Sequence, residues 1–117
     1  MKREADAARQ ETLLWLAQRA SAAVLAVCVL VHLATLIYAV QGGLSAAEIL
    51  ARTHDSYLWL GFYSLFVLAA AVHAPIGLRT VLAEWIGWRG TWRDAFLLGF
   101  AMLIAGMGLR AVTAVFA

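Results

Sequence analysis

Three apolar stretches, residues 19–40, 57–82 and 95–116, constrain this chain more than any other feature of it. Crossing a hydrocarbon core of roughly 30 Å takes about 20 residues of helix at 1.5 Å rise, and each stretch is long enough. In lipid every backbone N–H and C=O must find its partner inside the protein, so such a run is either a helix or a strand of a closed barrel. The runs are continuously apolar and lack the period-two alternation of barrel strands. Of the 117 residues, 64% are hydrophobic and 14% charged, far more apolar than a soluble domain needs to fill one core. The expectation is an all-α membrane protein with three transmembrane helices, up-down-up, in a multi-subunit helix bundle. Residues 1–18 form an N-terminal cytoplasmic or interfacial segment, and residues 19–117 form the three-helix anchor domain.

The N-terminal segment mixes acids, bases and apolar residues, unlike a cleavable signal with its short basic start and small-residue cleavage site. Leu13, Leu14, Trp15 and Leu16 follow polar Arg9, Gln10 and Glu11, so the segment is read as an interfacial helix before the chain turns into the membrane at Arg19. Basic residues give the orientation, because short loops rich in Lys and Arg stay cytoplasmic. Lys2, Arg3, Arg9 and Arg19 precede the first span, only Arg52 lies between the first two, and Arg79, Arg89 and Arg93 flank the next connection. The chain is thus expected in the inner (cytoplasmic) membrane with its N-terminus inside. Trp15, Trp59, Trp85, Trp88 and Trp92 fall where aromatic belts would place them. A net charge of +2 calls for no nucleic-acid partner. Cys28, the single cysteine, reads as a small buried hydrophobe.

Ionisable groups within a bilayer cost several kcal/mol unless they are partnered, which singles out His32, His73 and Arg110. At 100° per residue, Ser21, Leu25, Cys28, His32 and Ala39 share one stripe of the first helix. Phe66, Ala69, His73, Gly77, Thr80 and Glu84 share one stripe of the second. A bulky planar ligand fits such small-residue faces, and Gly77, one turn after His73, leaves backbone open to it. Pro75 removes a hydrogen bond to the Ala71 carbonyl and should bend the helix. The plain reading of each histidine is an interhelical hydrogen bond. The sharper one is iron ligation, since neutral imidazole binds iron and buried histidines on facing helices commonly hold a bis-histidine haem. His32 is about 20 Å beyond Arg19 and His73 about 14 Å from Leu82, an offset favouring two separate haems, each completed by a partner helix, over one shared iron. Helix tilt leaves open a single haem held by His73 alone.

Arg110, about two turns from the end of the third span, either snorkels outward or pairs with a haem propionate. It shares a face with Gly99 and Gly106, which points it into the bundle. Met102 and Met107 read as gap-fillers rather than ligands. Ser45 with Glu48 has the spacing of a capping box for a short surface helix, and His54 with Asp55 reads by default as a solvated loop pair, with an interaction with haem propionates as the alternative.

The string His73-Ala74-Pro75-Ile76-Gly77-Leu78-Arg79-Thr80-Val81-Leu82-Ala83-Glu84-Trp85 resembles the second-helix motif of the membrane-anchor (cytochrome b) subunits of succinate dehydrogenase and fumarate reductase. Gln18-Arg19-Ala20-Ser21-Ala22 is similar to the opening of their first helix, and three helices of this total length match the whole chain. The resemblance implies that His73 is an axial ligand of haem b near the inner side, and that Arg19, Ser21 and Arg79 line the quinone or propionate region. It implies that His32 serves a second haem, as in two-haem members. Trp85 departs from members that offer a quinone-binding tyrosine there, and indole lacks that hydroxyl. The implied partners are an iron–sulfur subunit, a flavoprotein subunit, and a second membrane anchor or another copy of this chain, all on the lipid bilayer. This chain has no dinucleotide fingerprint, flavin motif or cysteine cluster, so those parts are expected from other subunits and the chain is expected to be non-catalytic alone. Docking is expected through the Arg89 and Arg93 loop and the N-terminal segment. The alternatives are a haem-free structural or assembly subunit and a cytochrome b of another membrane dehydrogenase.

Overall fold

A computed structural model describes all 117 residues, 89% of them helical and none in strands. The first helix, α1, runs Lys2–Gln41 without a break, 40 residues long. At 1.5 Å per residue that is about 60 Å, which matches the 59 Å long dimension of the molecule. No Pro or Gly occurs between Met1 and Gln41, and Ala, Leu, Glu, Gln and Arg all favour helix. The expected turn into the membrane at Arg19 is therefore corrected: the N-terminal segment continues the transmembrane helix in line. Gly42 and Gly43 end it, Gly43 at a φ of 64° that suits a residue without Cβ.

A short helix, α2 (Ala46–Thr53), follows with the expected capping box. The Ser45 N–H donates to Glu48 Oε2 at 2.6 Å, and the Glu48 N–H donates to Ser45 Oγ at 3.2 Å. The pair holds the exposed Glu48 carboxyl below the usual carboxylate range, first through the Ser45 backbone N–H. His54 and Asp55 form the expected exposed pair, 3.2 Å apart.

The second long helix, α3 (Tyr57–Val81), passes through Pro75 and runs into a π-helical turn at Leu82–Ile86. Gly87, at φ 74°, closes that turn. The final helix, α4 (Thr91–Phe116), spans 26 residues. These three long helices are each apolar enough to cross a membrane.

Helix α3 is the centre: it packs on both α1 and α4, which scarcely meet each other. Contacts of α1 with α3 set an antiparallel register, with Tyr63 beside His32, Ser21 beside His73, Gln18 against Gly77 and Glu11 against Arg79. Ser21 and Cys28 are the most buried residues of α1 and Ala69 of the α3 stripe, as the stripes predict. At the α3–α4 contact, a Cβ on Gly108 would stand 2.5 Å from Val67 Cγ1. Gly99 and Gly106, expected to share in close packing, meet nothing within 4 Å. Opposite the arginine-rich end, the Thr53 hydroxyl donates to the Val115 carbonyl at 2.9 Å and the Asp55 N–H to the Phe116 carbonyl at 3.0 Å. These bonds take up carbonyls that the last turn of α4 leaves free.

Candidate functional site: two histidines along one helix interface

Both intramembrane histidines lie between α1 and α3, on opposite helices and at different heights. His73 of α3 stands level with Ser21 of α1, with Nδ1 3.5 Å from Ser21 Oγ. Eleven residues further along α1, or about 16 Å, His32 sets its Nδ1 3.4 Å from the Tyr63 hydroxyl. The His32 ring meets Tyr63 and Phe66 edge-on, each centroid 5.7 Å away. In each histidine Nδ1 has a hydroxyl partner, and Nε2 makes no hydrogen bond within the chain. Neutral imidazole ligates metal through one nitrogen while the other is held by a hydrogen-bonding neighbour, so both rings have the form of a ligand with its orienting partner. A single metal held by both rings would need them at one height, and they stand about 16 Å apart along the helix pair.

His32 and Tyr63 separate two clefts. One, of about 450 Å³, is lined by Thr35, Tyr38, Arg52 and Trp59. The other, of about 400 Å³, is lined by Phe66, Val67, Gly108 and Val112. Both volumes suit small-molecule sites. Arg52 covers the Tyr38 ring at 5.3 Å.

Gly77 does not leave open backbone as expected. A Cβ there would meet Gln18 Nε2 at 3.3 Å, so the glycine accommodates an α1 side chain. Gln18 is a residue that sequence reasoning passed over as a site. Its Oε1 is buried without a hydrogen-bond partner. Its place three residues before Ser21 was the available signal, since i and i+3 share a helix face. Tyr63 was also missed, although it extends the Phe66, Ala69, His73 stripe by one turn.

The other candidates are dispersed. Arg79 reaches Glu11 at 2.8 Å, and its guanidinium holds that carboxyl below the usual range. Arg19 is exposed, its guanidinium 5.5 Å over the Trp15 ring, and is not brought to Ser21 and Arg79. By the α1–α3 register Arg19 stands near the level of Ile76, which puts the start of the apolar span nearer Leu13, with Glu11 before it. A charge at that depth reaches back one turn to the interfacial Trp15. Arg110 is exposed with Gly99 and Gly106, two residues, or 200°, from the Gly108 face that lines the His32 cleft. Within this chain it therefore faces away from α3. Met102 and Met107 are exposed too, at 68% and 66%, and fill no gap within the chain. Arg93, expected on a docking loop, is instead 5% exposed on the first turn of α4, donating to Asp94 Oδ1 from Nε and from an NH2 group at 3.0 and 2.9 Å.

Two further hollows meet at Arg79. A polar one of about 290 Å³ is lined by Glu11, Thr80, Glu84, Arg89 and Arg93. A mostly apolar groove of about 320 Å³ runs past Leu14, Ala71, Pro75, Ile76 and Leu97. The groove includes the residue whose carbonyl Pro75 leaves without its helical donor. Trp85 stands 83% exposed on the π-helical turn.

The family model described as succinate dehydrogenase/fumarate reductase transmembrane subunit matches residues 4–109. No curated protein and no solved structure matches the chain.

Proposed function

Because the chain belongs to the family of succinate dehydrogenase/fumarate reductase transmembrane subunits, and is thus a membrane anchor of such a complex, we propose that it binds haem b through His73 and His32. In this reading it passes electrons between a partner iron–sulfur subunit and membrane quinone. The observation that carries the reading is the form of the His73 site: Nδ1 on a serine hydroxyl, Nε2 without a partner, all within an apolar span. An imidazole so placed costs several kcal/mol in lipid unless something satisfies it. Haem supplies a one-electron carrier when bound. This chain's residues fix ring orientation at two heights, keep water out with the surrounding apolar side chains, and supply one imidazole at each height. The second ligand at each height comes from a second anchor or another copy of this chain.

Quinone is an amphiphile, with a polar ring and an apolar tail. The polar hollow and the apolar groove joined at Arg79 match those two halves, with guanidinium donors for the ring oxygens. Lys2, Arg3, Arg9, Arg79 and Arg89 gather at one end of the bundle, which supports a cytoplasmic N-terminus. The projecting first turns of α1 and exposed Arg89 then face the soluble iron–sulfur and flavoprotein subunits.

A second reading, the haem-free anchor, is favoured by the same contacts, since Ser21 to His73 and Tyr63 to His32 are each interhelical. A reduced-minus-oxidised spectrum of the purified complex separates the two. A b-type α-band that His73→Ala diminishes is expected, and a complex with no such band leaves only the haem-free anchor.

A further inference from the structure

We infer that Ser21 is a positioning residue that sets the tautomer of His73, an inference that rests on His73 acting as a haem ligand. The Ser21 hydroxyl carries one proton and lies between two groups. It donates that proton to the Gln18 backbone carbonyl at 3.1 Å, the bond a helical serine makes to the residue three before it. Its oxygen then has only lone pairs to offer His73 Nδ1 at 3.5 Å. A neutral imidazole facing an acceptor holds its proton on that nitrogen, so His73 is the Nδ1–H tautomer. The lone pair is on Nε2, the atom without a partner in the chain.

His32 lacks this constraint. The Tyr63 hydroxyl beside it makes no other hydrogen bond, so it can donate to Nδ1 or accept from it. The two histidines thus differ: one ring is committed in advance to ligation through Nε2, and the other is free to hold either tautomer. Ser21 is among the most buried residues of α1, at 7% exposure, which keeps water from replacing it as the acceptor. A hydrogen bond from Nδ1–H also makes the imidazole more electron-donating toward a metal on Nε2, favouring the oxidised state.

The test is made on the intact complex with Ser21→Ala, Ser21→Thr and Ser21→Cys. Two quantities are read: the midpoint potential of the haem that His73→Ala removes, and the rate of haem transfer to excess apomyoglobin. Ser21→Ala should move the potential to more positive values and weaken haem retention about 10- to 100-fold, the usual effect of losing a ligand's orienting partner. Ser21→Thr keeps the hydroxyl and its bond to the preceding turn, so it should restore both. If Ser21→Ala does not assemble, Ser21→Cys decides, since a thiol is a weak acceptor and should give a partial shift in the same direction. An unchanged potential and transfer rate in Ser21→Ala, or in Ser21→Cys where that variant decides, overturns the inference. Loss of haem in His73→Ala alongside such a result leaves the ligand assignment intact, whereas haem retained in His73→Ala removes the ligand assignment itself.

Discussion

His32 stands about 16 Å further along the α1–α3 interface than His73, because Ser21, eleven residues before His32, is the residue level with His73. Under the proposed haem-binding reading the two rings serve separate haems, because a single metal would need both at one height. His73→Ala should abolish the haem at the arginine-rich end and leave the other, while His32→Ala should do the reverse. Low-temperature spectra of the α-band with redox titration read each haem separately. A complex in which either substitution removes all haem contradicts two sites.

Gly108 packs against Val67 at the α3–α4 contact. A Cβ on residue 108 would lie 2.5 and 2.9 Å from the two Val67 methyls, and a β-branched side chain has little freedom to yield. Gly108→Ala should destabilise the chain by about 1–3 kcal/mol, the usual cost of overpacking. Val67→Ala in the same chain should recover part of that loss, because neighbours that share a contact are not additive. Denaturation in mixed micelles of the two single variants and the double variant measures the coupling, and a strictly additive result contradicts the contact.

Much of this was legible in the sequence, for physical reasons that differ from residue to residue. Hydropathy marks three spans because continuous apolar runs without period-two alternation leave the helix as the backbone solution in lipid. The stripe containing Ser21, Cys28 and His32 was legible because helix periodicity alone decides a shared face. The Ser45 and Glu48 cap was legible because both partners lie within one turn. What failed depended on relations between helices. Gly99, Gly106 and Gly108 look alike in sequence, yet only Gly108 faces α3, since rotation of α4 about its axis has no local signature. The exposure of Arg110 beside Gly99 and Gly106 in this chain has the same origin. Glu11 finds Arg79 only because α1 continues straight past Arg19, which no apolar pattern in a polar segment announces. The π-helical turn under Glu84 and Trp85 likewise has no marker except Gly87 after it.

Cys28 is 2% exposed at the α1–α3 contact. A maleimide should leave it unmodified in the folded protein and label it fully after denaturation in dodecyl sulfate, as read by mass spectrometry. Cys28→Ala should cost little, as a small residue replaces a small one, whereas Cys28→Leu should destabilise by about 1–3 kcal/mol through overpacking. Rapid labelling of the folded chain contradicts the burial.

Glu11 ties the projecting start of α1 to α3 through Arg79 at 2.8 Å. Its carboxyl is lowered in the fold, first by the hydrogen bond from Arg79 and then by that cation's charge. A depressed carboxylate contributes stability above its unfolded-state pKa and loses it as pH falls through the folded value. The contact is therefore intact at neutral pH and weakens in the acid range. Glu11 is largely exposed, so solvent screening limits the contribution to under about 1 kcal/mol. Amide exchange in the first three turns of α1, corrected for its intrinsic pH dependence, should speed up as pH drops below the ordinary carboxylate range. Glu11→Gln should show the faster exchange already at neutral pH, with no further pH response from this contact. Salt should act on the native chain in the same direction, because an ion pair this exposed is screened. Equal protection in native and Glu11→Gln chains at neutral pH would show that apolar contact alone, through residues such as Leu14 beside Ile76, holds this part of α1 against α3.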